Sequence, residues 1–184
     1  MQKNFLLLLV FLFSLLMSGM LSAAGQGARD PYKYFFNETW YEMPEELENA
    51  RQSGKKAIMI FFEMDECPFC HYMKMNVLNQ PEVQKYYRQH FLNFTIDIEG
   101  DVEMVNFKGK TLRMKDFAFK ENRVRATPVL AFFDLSGKRI FRHTGKTSGV
   151  EEFMWMGEYI AKGLYKKMRF SKFKRQKRKE KNKR

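Results

Sequence analysis

The sequence predicts an α/β fold with elements in the order β-α-β-α-β-β-α, and three stretches carry that prediction. The first is an apolar run of strand length, residues 57–62, followed by an acidic turn and then Cys67-Pro68-Phe69-Cys70 at the start of a helical segment. The second pairs a proline-opened helix, residues 81–90, with the β-type run Phe-Leu-Asn-Phe-Thr-Ile-Asp-Ile at 91–98. The third is a hairpin signal. Strand 129–133 meets the turn Asp134-Leu135-Ser136-Gly137-Lys138, and 139–143 returns.

Taken in order, residues 1–24 read as an export signal. Lys3 supplies a positive n-region, 5–17 is almost wholly apolar, and Ser22-Ala23-Ala24 fits a cleavage site before Gly25. The alternative is an uncleaved anchor, since 5–24 is just long enough to span a bilayer. Either reading places the domain outside the cytoplasm, in a bacterial periplasm. Residues 25–42 read as a lead-in, polar and mobile over 25–34. Pro44 opens a helix over 44–53, with acids in its first turn, Arg51 near its end and Gly54 as the stop.

After Cys70 the apolar face is read as Phe69, Cys70, Met73 and Val77, widened by Tyr72, Met75 and Leu78. Residues 102–107 alternate before the turn signal Lys108-Gly109-Lys110, which predicts a small hairpin-like excursion. Residues 114–122 read as a helix with Phe117 inward. The last helix runs over about 150–167, with Phe153, Met156, Ile160 and Leu164 on one face.

The formal charge of +12 is concentrated at one end. Residues 166–184 hold twelve Lys or Arg against one Glu, a net +11, and the body is near neutral. Such a like-charge block predicts a disordered, solvated tail over 168–184. Its charge fits anionic lipid head groups, whereas nucleic acid is no partner for an exported protein.

Cys67 and Cys70 are the only cysteines, so they pair with each other or act together. Two intervening residues at a helix start put both sulfurs on one face within bonding reach. Unpaired amides and the helix dipole favour negative charge there, which makes Cys67 the candidate nucleophile and Cys70 the resolving thiol. Pro68 suits the first helical position. Three other chemistries fit parts of the pattern. Cys67-Pro68-Phe69-Cys70-His71 is also a haem-attachment spacing. Zinc would need a further ligand, and His90 and His143 lack a matching local spacing. A binding module without catalysis is the third.

The Cys-x-x-Cys at the first strand-to-helix junction, with Thr127-Pro128 just before a later hairpin, resembles the thioredoxin superfamily over about residues 43–167. Within it, the chain is similar to exported bacterial thioredoxin-like proteins, including those associated with sulfur oxidation. The resemblance implies a thioredoxin-like fold, a central mixed sheet flanked by helices, and thiol–disulfide exchange with no metal or organic cofactor. It implies a cis Thr127–Pro128 bond beside the dithiol, where neighbouring backbone pairs with an extended substrate. Three departures stand out. Glu66 replaces the usual Trp, Pro-Phe replaces Gly-Pro, and Phe61 occupies the position of a buried Asp.

Glu63 is the nearest carboxylate; it could stand in for that Asp, but it reads first as a solvated turn residue. Glu63, Asp65 and Glu66 together disfavour a thiolate at Cys67. That predicts a reductant or isomerase, nearer about −270 mV than the roughly −120 mV of a strong oxidant. An apolar rim of Phe69 and Met64 points to a protein or peptide substrate. A membrane or periplasmic electron donor would recycle the dithiol.

Overall fold

A computed structural model describes residues 27–183. The export signal or anchor, residues 1–24, lies outside the described residues. Asp30 caps a single helical turn, α1 (Pro31–Tyr34), by accepting the Tyr32 N–H. Then follow α2 (Met43–Gln52), β1 (Ala57–Glu63) and α3 (Pro68–Met73), which continues as a π-helical turn, Lys74–Leu78. Next come α4 (Pro81–His90), β2 (Phe91–Asp97), β3 (Glu103–Val105) and β4 (Thr111–Arg113). The short α5 (Met114–Asp116) runs into a π-helical turn, Phe117–Glu121. β5 (Val129–Phe133), β6 (Arg139–Thr144), α6 (Val150–Ala161) and α7 (Phe170–Lys181) complete the chain.

The main sheet has the order β2-β1-β5-β6. β1 pairs parallel with β2 and antiparallel with β5, and β5 with β6 antiparallel, so the sheet is mixed. β1 is central and buried along its whole length, which is why it reads as an unbroken apolar run. Its side chains alternate between two cores. Ala57, Met59 and Phe61 face the core built with α3, α4, α6 and α7. Ile58, Ile60 and Phe62 face the core built with α2, α5 and the β3–β4 hairpin. On the first side Tyr87 is fully buried, stacked on Phe153 at 4.2 Å, with its hydroxyl donating to the Phe153 carbonyl. Gly157 allows that approach, because a Cβ there would sit 2.9 Å from the Tyr87 ring.

Four expectations need correction. The lead-in is docked, with Phe35 and Phe36 buried against the first core and the Arg29 N–H bonded to the Asn79 carbonyl. On α3, Phe69 and Met75 point outward, and the inward face is Cys70, Met73, Val77 and Leu78. The last apolar helix stops at Ala161 because Gly163 turns left-handed (φ +65°). The basic tail is the fourth and largest correction. It forms α7, which buries Phe170 and Phe173 against Tyr159 and Phe141. Its inner lysines meet α6 glutamates: Lys174 pairs with Glu152, Lys177 with Glu158 at 2.8 Å and Lys181 with Glu151 at 3.0 Å. Like-charge repulsion is offset by a partner face carrying the opposite sign.

That docking carries a pH signature. Burial alone would raise the Glu152 carboxyl, but Lys174 and Ser148 hold it down to about 2. A carboxyl held below its unfolded value stabilises above that value, so the contribution fades as pH falls from about 4.5 towards 2. Burial also pushes His143, on β6, below its ordinary 6.5, and the unfolded chain therefore takes that proton first. Both signs agree that acid weakens this end. The Phe170 and Phe173 ring resonances should lose their tertiary shifts below pH 4.5, and Glu152→Gln should flatten the change. An unaltered acid transition in that variant would count against Glu152 as its origin.

Candidate active site

β1 delivers the chain to a tight turn in which the Cys67 N–H donates to the Asp65 carbonyl at 3.0 Å. Cys67 is the N-cap of α3 in an extended conformation, and its Sγ accepts the Cys70 N–H at 3.0 Å. Pro68 follows in the first turn, where its missing donor leaves nothing unsatisfied. Cys67 and Cys70 are joined by a disulfide, with Cα atoms 5.2 Å apart. Their exposure differs: Cys67 is 8% accessible and Cys70 1%. Both residues are largely enclosed, and Cys67 is the more accessible of the two. Phe69 stands out beside it, Pro68 is exposed and Met64 is half-buried.

The peptide bond between Thr127 and Pro128 is cis. Register places it at the same end of the sheet as the dithiol, since Val129 pairs with Phe62 at the end of β1. Pro128 is buried and Thr127 half-buried. The loop after β6 ties this proline to α3 through three consecutive residues. The Gly145 N–H donates to the Pro128 carbonyl at 2.8 Å. The Lys146 ammonium lies over the Tyr72 ring at 4.2 Å and the Phe69 ring at 5.9 Å. The buried Thr147 donates its N–H to the Met73 sulfur at 3.4 Å and its hydroxyl to the Gly149 carbonyl at 3.0 Å. The site is thus made from α3, the start of β5 and the β6–α6 loop. Sequence reading found the first two. Residues 145–149 carry no local signal, because the partners of Lys146 and Thr147 on α3 lie more than seventy positions away.

Glu63 is also misjudged by sequence. It ends β1 on the same face as Phe61, within the fold and 9% exposed. One carboxylate oxygen pairs with the Lys74 ammonium at 2.7 Å, and the other accepts from the Thr95 and Tyr32 hydroxyls. Lys74 also donates to the Tyr32 oxygen at 2.7 Å. Burial would lower the Lys74 pKa, but its bonds to Glu63 and Tyr32 raise it above the ordinary lysine value. Burial and the Glu63 charge both raise the Tyr41 hydroxyl. The acids exposed beside Cys67 are therefore Asp65 and Glu66, and Glu63 is neutralised by its partner. His71 is exposed on α3. Among the described residues, no group of three or more His, Cys, Asp or Glu side chains is placed to hold a metal ion.

Comparison with known proteins agrees with this geometry. A family profile described as a thioredoxin-like domain matches residues 43–161. A disulfide bond reductase, DsbH, of Chlamydia pneumoniae is 27% identical over 107 residues, covering 58% of this chain and 62% of that protein. The chain thus spans about three fifths of that relative's length. A thioredoxin-fold protein from Helicobacter pylori superposes with a TM-score of 0.61 at 22% identity, over 71% of this chain and 88% of that one. A thioredoxin from Thermus thermophilus gives 0.52 at 22%, over 69% and 87%. With its mixed four-stranded sheet, its Cys-x-x-Cys at a helix start and a family match over most of its length, this chain belongs to the thioredoxin-like family.

Proposed function

We propose that this chain is an exported thiol–disulfide oxidoreductase of the periplasm, acting on protein or peptide disulfides in the reducing or isomerising direction. The observation that carries the reading is the unequal burial of two disulfide-bonded cysteines at one helix start, Cys67 the more accessible and Cys70 the more enclosed. In the reduced form the Cys67 thiolate attacks a substrate disulfide. One S–S bond breaks, a mixed disulfide forms, and a substrate thiolate leaves. Cys70 then gives up its proton and attacks the Cys67 sulfur. The second substrate thiol is released, and the Cys67–Cys70 bond closes. Two electrons pass to the substrate, so a separate dithiol donor, in the membrane or the periplasm, must return them. The chemistry needs no metal or organic cofactor.

We assign Pro68, Phe69, Thr127 and Pro128 to hold an extended substrate segment beside Cys67. Direction is supported by the exposed Asp65 and Glu66, whose charge works against a stabilised thiolate. It is supported too by a relative named as a disulfide bond reductase.

Equilibrating the purified protein with glutathione buffers, after recording its absorption spectrum, tests the reading. A colourless protein with a midpoint of about −250 mV or lower is expected. A midpoint near −120 mV would overturn the direction. A Soret band from covalently bound haem would overturn the activity itself.

A further inference from the structure

Apart from Arg178 on its flank, the cations of α7 are sorted between two faces. Phe170, Phe173, Lys174, Lys177 and Lys181 recur at helical spacing on the inner side, the phenylalanines buried and each lysine paired with a glutamate of α6. Directly opposite, at spacings of three, four and four residues, lie Lys172, Arg175, Lys179 and Lys183, with Gln176 among them. All four are exposed, and none makes an ion pair among the described residues. Lys166, Lys167 and Arg169 add exposed charge just before the helix. The single acid of the helix, Glu180, sits at the edge of this stripe.

We propose that this outer stripe is a docking surface for an anionic lipid bilayer, on which α7 lies flat among the head groups. The helical part of the stripe, from Lys172 to Lys179, is straight and about 10 Å long at the rise of a helix, and Lys183 follows in the turn beyond it. It is convex, and its only uncharged member is Gln176. A protein partner held specifically would need an apolar or aromatic anchor and a shape to fit. Here both phenylalanines are turned inward, so the outward face offers charge alone. A plane of head-group phosphates asks for nothing else. The same lack of outward apolar residues means that the helix rests on the surface without inserting into it. On the reading that the domain is exported, nucleic acid is not available to it. Docking α7 onto α6 fixes the stripe in one orientation, which a disordered tail of the same charge would lack.

The test is sedimentation of the full chain with vesicles of pure phosphatidylcholine and with vesicles rich in phosphatidylglycerol. Neutral vesicles register any contribution of the apolar residues 5–24. Binding to the anionic vesicles is expected to exceed that baseline roughly a hundredfold at low salt and to collapse as salt is raised. Replacing Lys172, Arg175, Lys179 and Lys183 together by Gln should abolish the excess, at roughly fivefold per residue. A matched variant with Gln at the exposed Lys85, Lys108, Lys110 and Lys138 loses the same charge elsewhere and should keep binding within about threefold. Equal binding to both vesicle types would overturn the proposal. So would an equal loss in the two variants, which would make net charge rather than this face the cause.

Discussion

Cys67→Ser should reduce disulfide reduction by about a thousandfold or more, to the background of the assay, because the attacking atom is gone. Cys70→Ser should behave differently. Cys67 can still attack, but with no resolving thiol the mixed disulfide persists, and mass spectrometry of the variant mixed with an oxidised peptide should show the covalent adduct. The asymmetry follows from burial. Cys67, at 8% accessible, caps the helix at the surface, and Cys70, at 1%, lies one turn inside against the first core. Trapping through residue 70 in the Cys67→Ser variant, at a rate comparable to trapping through residue 67, would contradict this division of labour. Both substitutions are close to isosteric and leave the Pro68 start of α3 in place.

The parts of this fold that were readable from sequence are those specified by neighbours along the chain. The helix after Gln80 runs over residues 81–90 as expected, because Pro81 sets its first turn and the β-branched and aromatic run after His90 ends it. β5 was equally plain, an apolar run held between Pro128 and the Asp134 turn. The Cys-x-x-Cys motif and Thr127–Pro128 were visible as residue types at a spacing. What stayed hidden depends on charge partners from other elements. A block of lysines looks solvated until Glu151, Glu152 and Glu158 are seen to face it from α6. Glu63 looks like a turn acid until Lys74, Thr95 and Tyr32 close around it from three other segments. In both cases a charged residue is held against the fold because its complement comes from another element. Hydrophobic periodicity carries no information about such pairs.

The Glu63–Lys74 pair is where that lesson has the largest energetic consequence. Lys74→Met should destabilise the protein by about 3 kcal/mol, read as a lowered urea midpoint with an unchanged slope. The methylene stem is kept, but the Glu63 carboxylate is left nearly out of water with only the Thr95 and Tyr32 hydroxyls to bond it. The hydroxyls supply hydrogen bonds but no countercharge. Glu63→Leu in the Lys74→Met background should recover most of the loss, because removing both charges also removes the cost of desolvating them. The cycle therefore predicts a large coupling energy between the two positions, although the pair itself adds little net stability. Near-additive single and double variants would show instead that Glu63 is adequately held by its hydroxyl partners. Lys74 would then be an ordinary surface cation.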